Sequence, residues 1–364
     1  MAERAGLREG DVLTRLGAIA LTDADALAQA LRDARGRDTV VVEVLRGEER
    51  FESRVEVVER RREEVAGATV LYESIEVDGT QLRTIVTRPE AGGRHPAVLY
   101  LQGISDDSID FGDGEVTPTS ALVHGWAQAG LVTMRMERRG LGDSGGAPFE
   151  GTSFEREVAD YAQALEALAA APFVDPDAIF VFGHSVGGMI APFLAERGQV
   201  RGTIAHGSSA APWYTCVETS TQRQLSLRGV PRDELEARVA REQRELRVAP
   251  GDRRSAEYHQ QLHEAQVAGA WIRVRGAVLV LHGEYDWVVG RDEQEQLCAI
   301  LETRAAGRAQ RIELPGLDHA MTRHVDLAAS LASYGAGELN TAVLDATLAW
   351  IDDVHMNRFA TPAV

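Results

Sequence analysis

Short apolar runs alternate with stretches of helical periodicity from about Ala68 onward, and this alternation limits the folds open to the chain. The apolar runs are PAVLYLQG, LVTMRME, AIFVFGHS, VRGTIAHGS, AVLVLHG and RIELPG. In the clearest helical stretch, apolar residues recur at spacings of four, three, four and three; they are Phe154, Val158, Tyr161, Leu165 and Leu168. Continuous apolar runs indicate strands covered on both faces. The pattern therefore predicts a mostly parallel sheet wrapped by helices, an α/β fold.

One long interruption breaks this alternation. About 65 residues rich in charge and helical in pattern separate GTIAHGSS from GAVLVLHGEYD. A loop of that length without structure is uncommon, so we expect a helical cap at about 210–275. It follows a strand end, and it should lie over the edge where open α/β sheets bind ligands.

The pattern also divides the chain into domains. Residues 1–58 contain a helical stretch, TDADALAQALRDARG, and two alternating runs around Gly47, which predict a small α+β unit. Residues 59–67 form a charged run that predicts a solvated linker. Residues 68–364 form the α/β domain, which opens with a hairpin around Asp78-Gly79.

Charge and composition exclude several functions. The net charge is −18, with 56 acidic and 38 basic residues, so a nucleic-acid partner is not expected. Every basic residue except histidine is arginine, which excludes Schiff-base and Ser/Lys chemistry. Two cysteines cannot form a zinc site. No apolar run approaches the length of a membrane span, and no cofactor or metal is expected.

The stretch Gly183-His184-Ser185-Val186-Gly187 carries the chemistry. It has the pattern G-x-S-x-G, follows the apolar run AIFVF and precedes the helical run MIAPFLAERG. Such a strand-turn-helix context exposes the serine hydroxyl at a helix N-terminus. We therefore expect Ser185 to be a nucleophile.

A nucleophilic serine needs a base and usually an acid, in the chain order Ser, Asp or Glu, His. Asp286 follows the apolar strand VLVL, and His319 follows RIELPG. Ser185, Asp286 and His319 are therefore the predicted triad. Glu284 and Asp318 stay open as alternative acids.

Other histidines are assigned different roles. His184 lies inside the turn and cannot reach its neighbour's hydroxyl, while His206 and His282 end predicted strands and should line the pocket or form hydrogen bonds in the packing. His259 and His263 have a metal-ligand spacing of i and i+4, but no third ligand is evident, so a solvated helix face is expected.

The tetrahedral oxyanion needs hydrogen-bond donors. The backbone N–H of Val186 should be one. The second should come from the loop after PAVLYLQG, with Ile104 preferred and Gln102 and Gly103 as alternatives. Trp213, Tyr214 and Trp271 flank the insertion, and both a pocket wall and core packing stay open for them.

Together these features resemble the α/β-hydrolase superfamily, in its serine esterase and peptidase branch, over about residues 68–355. MERRGLGDSGG, at 136–146, is similar to the D-x-R-G-x-G-x-S loop of that superfamily, with Glu137 where Asp is usual. The resemblance implies the fold, the triad and hydrolysis of an acyl bond in a small molecule. Ester hydrolysis through an acyl-enzyme is the expected activity, and an exopeptidase or small-peptide amidase is the alternative.

AGLREGDVLTRLGAIALTDADALAQAL resembles the second half of a bacterial PDZ domain. In that family the peptide-binding loop and strand would precede Met1, so the resemblance implies a partial, PDZ-like module. A second copy of the chain could complete it as a homo-oligomer. An interaction protein with an inactive hydrolase domain is thus the alternative from another class. As written the chain is expected to be cytoplasmic, or secreted or periplasmic if the true N-terminus lies upstream.

Overall fold

The computed structural model describes residues 6–22, 24–34, 39–57, 61–197, 200–248, 251–303 and 309–356. Within these residues the chain forms two compact units, Met1–Arg61 and Arg62–Val364, and each is described by itself.

The N-terminal unit is a small antiparallel sheet with one helix. Its strands have the order β2-β1-β3-β4. The elements are β1 (Val12–Leu16), β2 (Ile19–Ala20), α1 (Ala24–Ala34), β3 (Thr39–Arg46) and β4 (Glu49–Glu56). Alternate residues of β3 point inward, and Val40, Val42 and Val44 are buried with Ala30 and Ala34 of α1. This alternation is the period of a strand with one covered face.

The second unit contains an eight-stranded sheet of order β12-β11-β10-β9-β7-β8-β6-β5. The strands are β5 (Ala68–Val77), β6 (Thr80–Pro89), β7 (His95–Leu101), β8 (Val132–Met136), β9 (Val174–His184), β10 (Gly202–His206), β11 (Ala277–Gly283) and β12 (Ala309–Leu314). The hairpin of β5 and β6 is antiparallel, and the other six strands run parallel to one another. The predicted α/β sheet is confirmed.

Helices cover both faces of this sheet. They are α2 (Pro118–Gln128), α3 (Phe154–Ala170), α4 (Val186–Ala195), α5 (Trp213–Leu227), α6 (Arg232–Val248), α7 (Ala256–Glu264), α8 (Val267–Arg273), α9 (Arg291–Glu302), α10 (Leu327–Ala332) and α11 (Ala342–His355). Four of them, α5 to α8, lie in the insertion between β10 and β11, where the cap was expected. Two apolar clusters, one containing Trp271 and the other Trp126, form the core.

The strand register brings four loops together. His184 of β9 pairs with His206 of β10, which pairs with Leu281 of β11. Gly283 of β11 pairs with Leu314 of β12. The carboxyl ends of these parallel strands therefore meet at one edge, so residues that follow them can form one site although they are far apart in sequence.

In the charged run before the sheet, Arg61, Arg62 and Glu64 are exposed, and only Glu63 among these four differs from the predicted solvated linker. Glu63 is buried, and its carboxylate accepts hydrogen bonds from Arg135, His124 and the backbone N–H of Phe111. Sequence patterning failed here because the partner that makes burial of this carboxylate tolerable lies on β8, far along the chain.

None of the helices in the described part of the chain combines the length and the apolar character needed to cross a membrane.

Candidate functional site

Ser185 lies at the turn between β9 and α4. Its backbone has φ 54° and ψ −120°, a conformation that non-glycine residues rarely adopt. The flanking glycines permit the sharp turn. A Cβ at Gly183 would overlap the backbone of Gly187, and a Cβ at Gly187 would overlap the carbonyl of Leu101. The local sequence therefore dictates a strained, glycine-enclosed serine at a helix N-terminus.

Asp286 and His319 form a buried pair at the same edge of the sheet. His319 Nδ1 lies 2.8 Å from Asp286 Oδ2, and the exposed fractions of the two side chains are 4% and 0%. The other carboxylate oxygen of Asp286 accepts hydrogen bonds from the backbone N–H groups of Val288 and Val289. These contacts hold the carboxylate in one orientation towards the imidazole.

The contact between the two residues shifts both pKa values in the directions that favour a charged imidazolium and a charged carboxylate. Burial alone would lower the pKa of His319, but the adjacent Asp286 carboxylate raises it above its usual value. Burial alone would raise the pKa of Asp286, but the charge and hydrogen bond of His319 lower it. An imidazolium formed at His319 is thus stabilised by the carboxylate.

His184 connects the turn to the loop that carries His319. Its Nε2 lies 2.9 Å from the carbonyl oxygen of His319, and since a carbonyl only accepts, Nε2 is the donor. Burial lowers the pKa of His184 to about 4, so this ring is neutral near neutral pH. Among the described residues, no hydrogen bond joins the Ser185 hydroxyl to His319. Such contacts are often long in ligand-free enzymes.

The candidate oxyanion donors lie beside Ser185. Val186 is the first residue of α4, where backbone N–H groups have no partner within the helix. Gly103 passes so close that a Cβ there would lie 3.3 Å from Cβ of Ser185. Ile104, which follows it, is half-buried. The side-chain amide of Gln102 donates within its own loop, to Ser105 and Asp107.

The alternative acids have other partners. Glu284 is exposed and accepts a hydrogen bond from the backbone of Gly316. Asp318 is buried and accepts hydrogen bonds from both the backbone and the hydroxyl of Thr322, and it contacts His324. The structure therefore pairs His319 with Asp286 rather than with either alternative.

Two of the neighbouring histidines are packed rather than hydrogen-bonded. His206 is fully buried and stacks against Phe182, with ring centroids 6.3 Å apart. Within the described part of the chain, neither ring nitrogen of His206 or His282 has a partner within hydrogen-bond distance, although His282 Nδ1 lies 3.6 Å from Oε2 of Glu313. Burial lowers both pKa values, so both rings are neutral. The two roles expected for these histidines were lining the pocket and hydrogen-bonded packing. The structure shows packing, but without the expected hydrogen bonds.

The prediction of a solvated face for His259 and His263 is wrong. His259 is buried and contacts Asp252, while His263 packs on the ring of Tyr214 and accepts a hydrogen bond from its backbone. Their helix, α7, packs against α3 on one side and against α5 and α6, which a spacing pattern cannot reveal. No group of metal-binding side chains occurs in the described residues.

The aromatic residues of the insertion are mainly core. Trp271 and Tyr214 are buried, and Trp213 packs against His259. Sequence reasoning missed Tyr334, whose ring lies beside that of His319, and Trp287, which contacts Tyr334. The Tyr334 ring lies at 24° to the His319 ring with centroids 6.5 Å apart, and it contacts Trp287 edge-on. The position of Trp287, directly after Asp286, was the available signal.

The fold and the turn at Ser185 define the class of protein, an α/β hydrolase. Residues 115–326, more than half of the chain, match the family described as Serine aminopeptidase, S33 (Hydrolase_4), and the chain belongs to this family.

Known proteins with similarity to the chain include several esterases. Esterase EstD of Thermotoga maritima is 23% identical over 270 residues, which cover 73% of this chain and 64% of the relative. The chain thus spans less than two thirds of the length of that relative. Acetyl xylan esterase 1 from Thermoanaerobacterium sp. has a TM-score of 0.54 at 17% identity, covering 82% of this chain and 87% of that one. Est1E from Butyrivibrio proteoclasticus, solved with ferulic acid, has a TM-score of 0.53 at 18% identity. The match covers 77% of this chain and 99% of Est1E. These structural similarities concern the fold.

Proposed function

We propose that the chain hydrolyses a carboxylic ester of a small molecule through an acyl-enzyme. Ser185 is the nucleophile, His319 the general base and Asp286 the acid that orients it. The observation that carries the proposal is the buried 2.8 Å contact between His319 and Asp286, at the same sheet edge as the strained turn of Ser185.

The chemistry follows from these positions. Nε2 of His319 takes the proton of the Ser185 hydroxyl as Oγ attacks the ester carbonyl, and Asp286 stabilises the imidazolium that forms. The backbone N–H groups of Val186 and Ile104 donate to the oxyanion. The intermediate collapses, the alcohol leaves with the proton from His319, and water repeats the sequence to release the acid.

The printed names of the relatives support an ester substrate. EstD, acetyl xylan esterase 1 and Est1E are all named as esterases or carry an esterase abbreviation. Tyr334 beside His319, together with Trp287 packed against Tyr334, offers an apolar surface to an acyl or alcohol group.

The family description favours a second candidate, an aminopeptidase or small-peptide amidase with the same residues. Such an enzyme must bind the substrate's ammonium group, and a carboxylate is its usual partner. Three buried carboxylates of this region already have partners. Asp286 accepts hydrogen bonds from Val288, Val289 and His319. Asp318 accepts hydrogen bonds from Thr322 and Gly335. Glu293 accepts hydrogen bonds from Arg223 and Gly290. These three carboxylates are therefore not the first choice for an ammonium group, and the esterase name of the relative places ester hydrolysis first.

The test combines a fluorophosphonate probe with two substrate panels, p-nitrophenyl esters and aminoacyl anilides. The full chain should be labelled and should hydrolyse esters, while Ser185→Ala should lose both labelling and turnover by several orders of magnitude. Turnover of anilides alone would favour the peptidase. A chain that is neither labelled nor active would favour an inactive domain that serves interaction.

The chain offers a matched control in Ser208. This serine lies at the same sheet edge and is buried, and its hydroxyl has no hydrogen-bond partner among the described residues. Ser208→Ala should keep labelling and kcat/KM within about threefold, which separates loss of the nucleophile from loss of packing.

We also propose that the N-terminal unit takes no part in the chemistry, since every proposed catalytic residue belongs to Arg62–Val364. Peptides with a free C-terminal carboxylate, titrated against the full chain, should leave kcat/KM for small esters unchanged and should bind weakly. Micromolar, carboxylate-dependent binding would mean that the PDZ-like unit is a working receptor.

A further inference from the structure

One guanidinium holds three carbonyl groups of the loop that carries the second proposed oxyanion donor. Arg138 donates to the carbonyl oxygen of Gln102 at 2.9 Å and to that of Ser105 at 2.6 Å, and it also donates to that of Gly103. The Arg138 side chain is only 2% exposed. Charge-assisted hydrogen bonds in such a buried place are strong, so the loop is held firmly from this side.

The geometry of the peptide group links these contacts to the oxyanion. In a planar trans peptide, the carbonyl of one residue and the N–H of the next point in opposite directions. When the carbonyl of Gly103 points at Arg138, the N–H of Ile104 points away from Arg138. The same loop passes close to the proposed nucleophile, since a Cβ built at Gly103 would lie 3.3 Å from Cβ of Ser185.

Arg138 is in turn held from the cap. Its Nε donates to one carboxylate oxygen of Glu157 on α3 at 2.6 Å, and the other oxygen accepts from Arg254, which precedes α7. The Arg254 guanidinium also lies between two rings, 3.7 Å from the centroid of Phe149 and 4.2 Å from that of Tyr258. The side chains of Arg254 and Glu157 are 0% and 2% exposed. A continuous buried chain of charges therefore runs from the cap to the loop.

We propose that Arg138 is the positioning residue that aims the Ile104 N–H at the oxyanion, and that Arg254, acting through Glu157, couples this position to the cap. This inference rests on the proposed function. Arg138 does not touch the reacting atoms, and its effect passes through the peptide group between Gly103 and Ile104.

Arg138→Lys is the first test. Lysine keeps the charge but loses the planar fork that reaches several carbonyls at once. A displaced donor of this kind costs up to about 10²-fold, so kcat for p-nitrophenyl esters should fall by about 10- to 100-fold with KM nearly unchanged. The rate of fluorophosphonate labelling should fall in parallel, because the phosphoryl oxygen occupies the same place as the oxyanion.

The adjacent arginine provides a matched control. Arg139 is also buried and paired, but with Asp160 and the carbonyl of Val77 rather than with the loop. Arg139→Lys should lower the thermal midpoint about as much as Arg138→Lys while leaving kcat within about threefold. Equal thermal midpoints and equal kcat in the two variants would overturn the proposal, since Arg138 would then be merely structural.

The coupling to the cap is tested with Arg254→Met, which leaves the ion pair of Glu157 and Arg138 balanced. We expect a smaller fall in kcat, of about three- to tenfold, that disappears when Arg138 is already lysine. The same fall in both backgrounds would show that Arg254 does not act through Arg138.

Failure of this inference is distinguishable from failure of the proposed function. A wild-type chain that is labelled and active, with an unaffected Arg138→Lys, contradicts only the positioning role. A wild-type chain that is neither labelled nor active contradicts the function itself.

Discussion

Two buried aspartate–histidine pairs in the described residues of the second unit are nearly identical in contact distance and in side-chain exposure. Asp286 Oδ2 lies 2.8 Å from His319 Nδ1, and Asp318 Oδ2 lies 3.0 Å from His324 Nε2. In both pairs the aspartate side chain is 0% exposed and the histidine side chain is 4% exposed. Neither contact distance nor burial therefore distinguishes the pair proposed for catalysis from the other pair.

The two pairs differ in the further residues with which each forms hydrogen bonds. Asp318 also accepts from Thr322 and from the backbone of Gly335, and His324 Nε2 contacts Thr322 as well. This pair closes a local loop. Asp286 and His319 come from loops after two different strands. The His319 ring lies beside His184 of the Ser185 turn, with ring centroids 5.0 Å apart. The pair proposed for catalysis joins distant segments beside Ser185, whereas the Asp318–His324 pair joins residues of one segment.

The largest expected contrast is between the two aspartates. Asp286→Asn should lower kcat/KM by about 10⁴-fold, because the amide no longer stabilises the imidazolium or its tautomer. Asp318→Asn should lower it by less than about tenfold. Steady-state kinetics on one ester measure kcat/KM for both variants. Similar losses in the two variants would contradict the assignment of Asp286, rather than Asp318, to catalysis.

The pH dependence of kcat/KM should report His319. The base must be neutral to take the proton, so below its pKa the value should fall by about tenfold per pH unit. Since Asp286 raises the pKa of His319, the midpoint should lie above that of an ordinary histidine. In Asp286→Asn the residual activity should have a lower midpoint. A profile that does not change in that variant would point to a different base.

The Asp318 pair, whose loss should affect activity little, should matter for stability. Asp318→Asn removes a carboxylate that accepts several buried hydrogen bonds, and we expect the free energy of unfolding to fall by about 1–3 kcal/mol. Urea titration followed by circular dichroism measures it. A variant as stable as the wild type would show that the Asp318 pair is dispensable for the loop.

The smallest effect is a pH-dependent part of the stability that comes from His319. A pKa raised in the folded state stabilises the fold below the ordinary histidine pKa, and this stabilisation is lost as the pH rises through the raised value. The difference in unfolding free energy between wild type and His319→Gln should therefore shrink with rising pH, over the same range in which activity appears. A difference that grows with pH would have the wrong sign for a raised pKa.

Much of the second unit follows from local sequence. Continuous apolar runs predicted the buried strands, and the spacing of Phe154, Tyr161 and Leu165 predicted α3, in which all three are buried. The glycines around Ser185 predicted the sharp turn, because only residues without a Cβ fit there. These features depend on side-chain period and backbone sterics, which are written in neighbouring residues.

Tertiary structure decided what depends on residues distant in sequence. Burial of Glu63 requires Arg135, and burial of His259 requires the packing of the helices between β10 and β11. The link from Arg254 to Arg138 requires Glu157 between them. Sequence patterns treat a charged residue as solvated because an unpaired charge is costly to bury. Only the folded chain brings the compensating partner within hydrogen-bond distance, and so only the fold reveals which charges are inside.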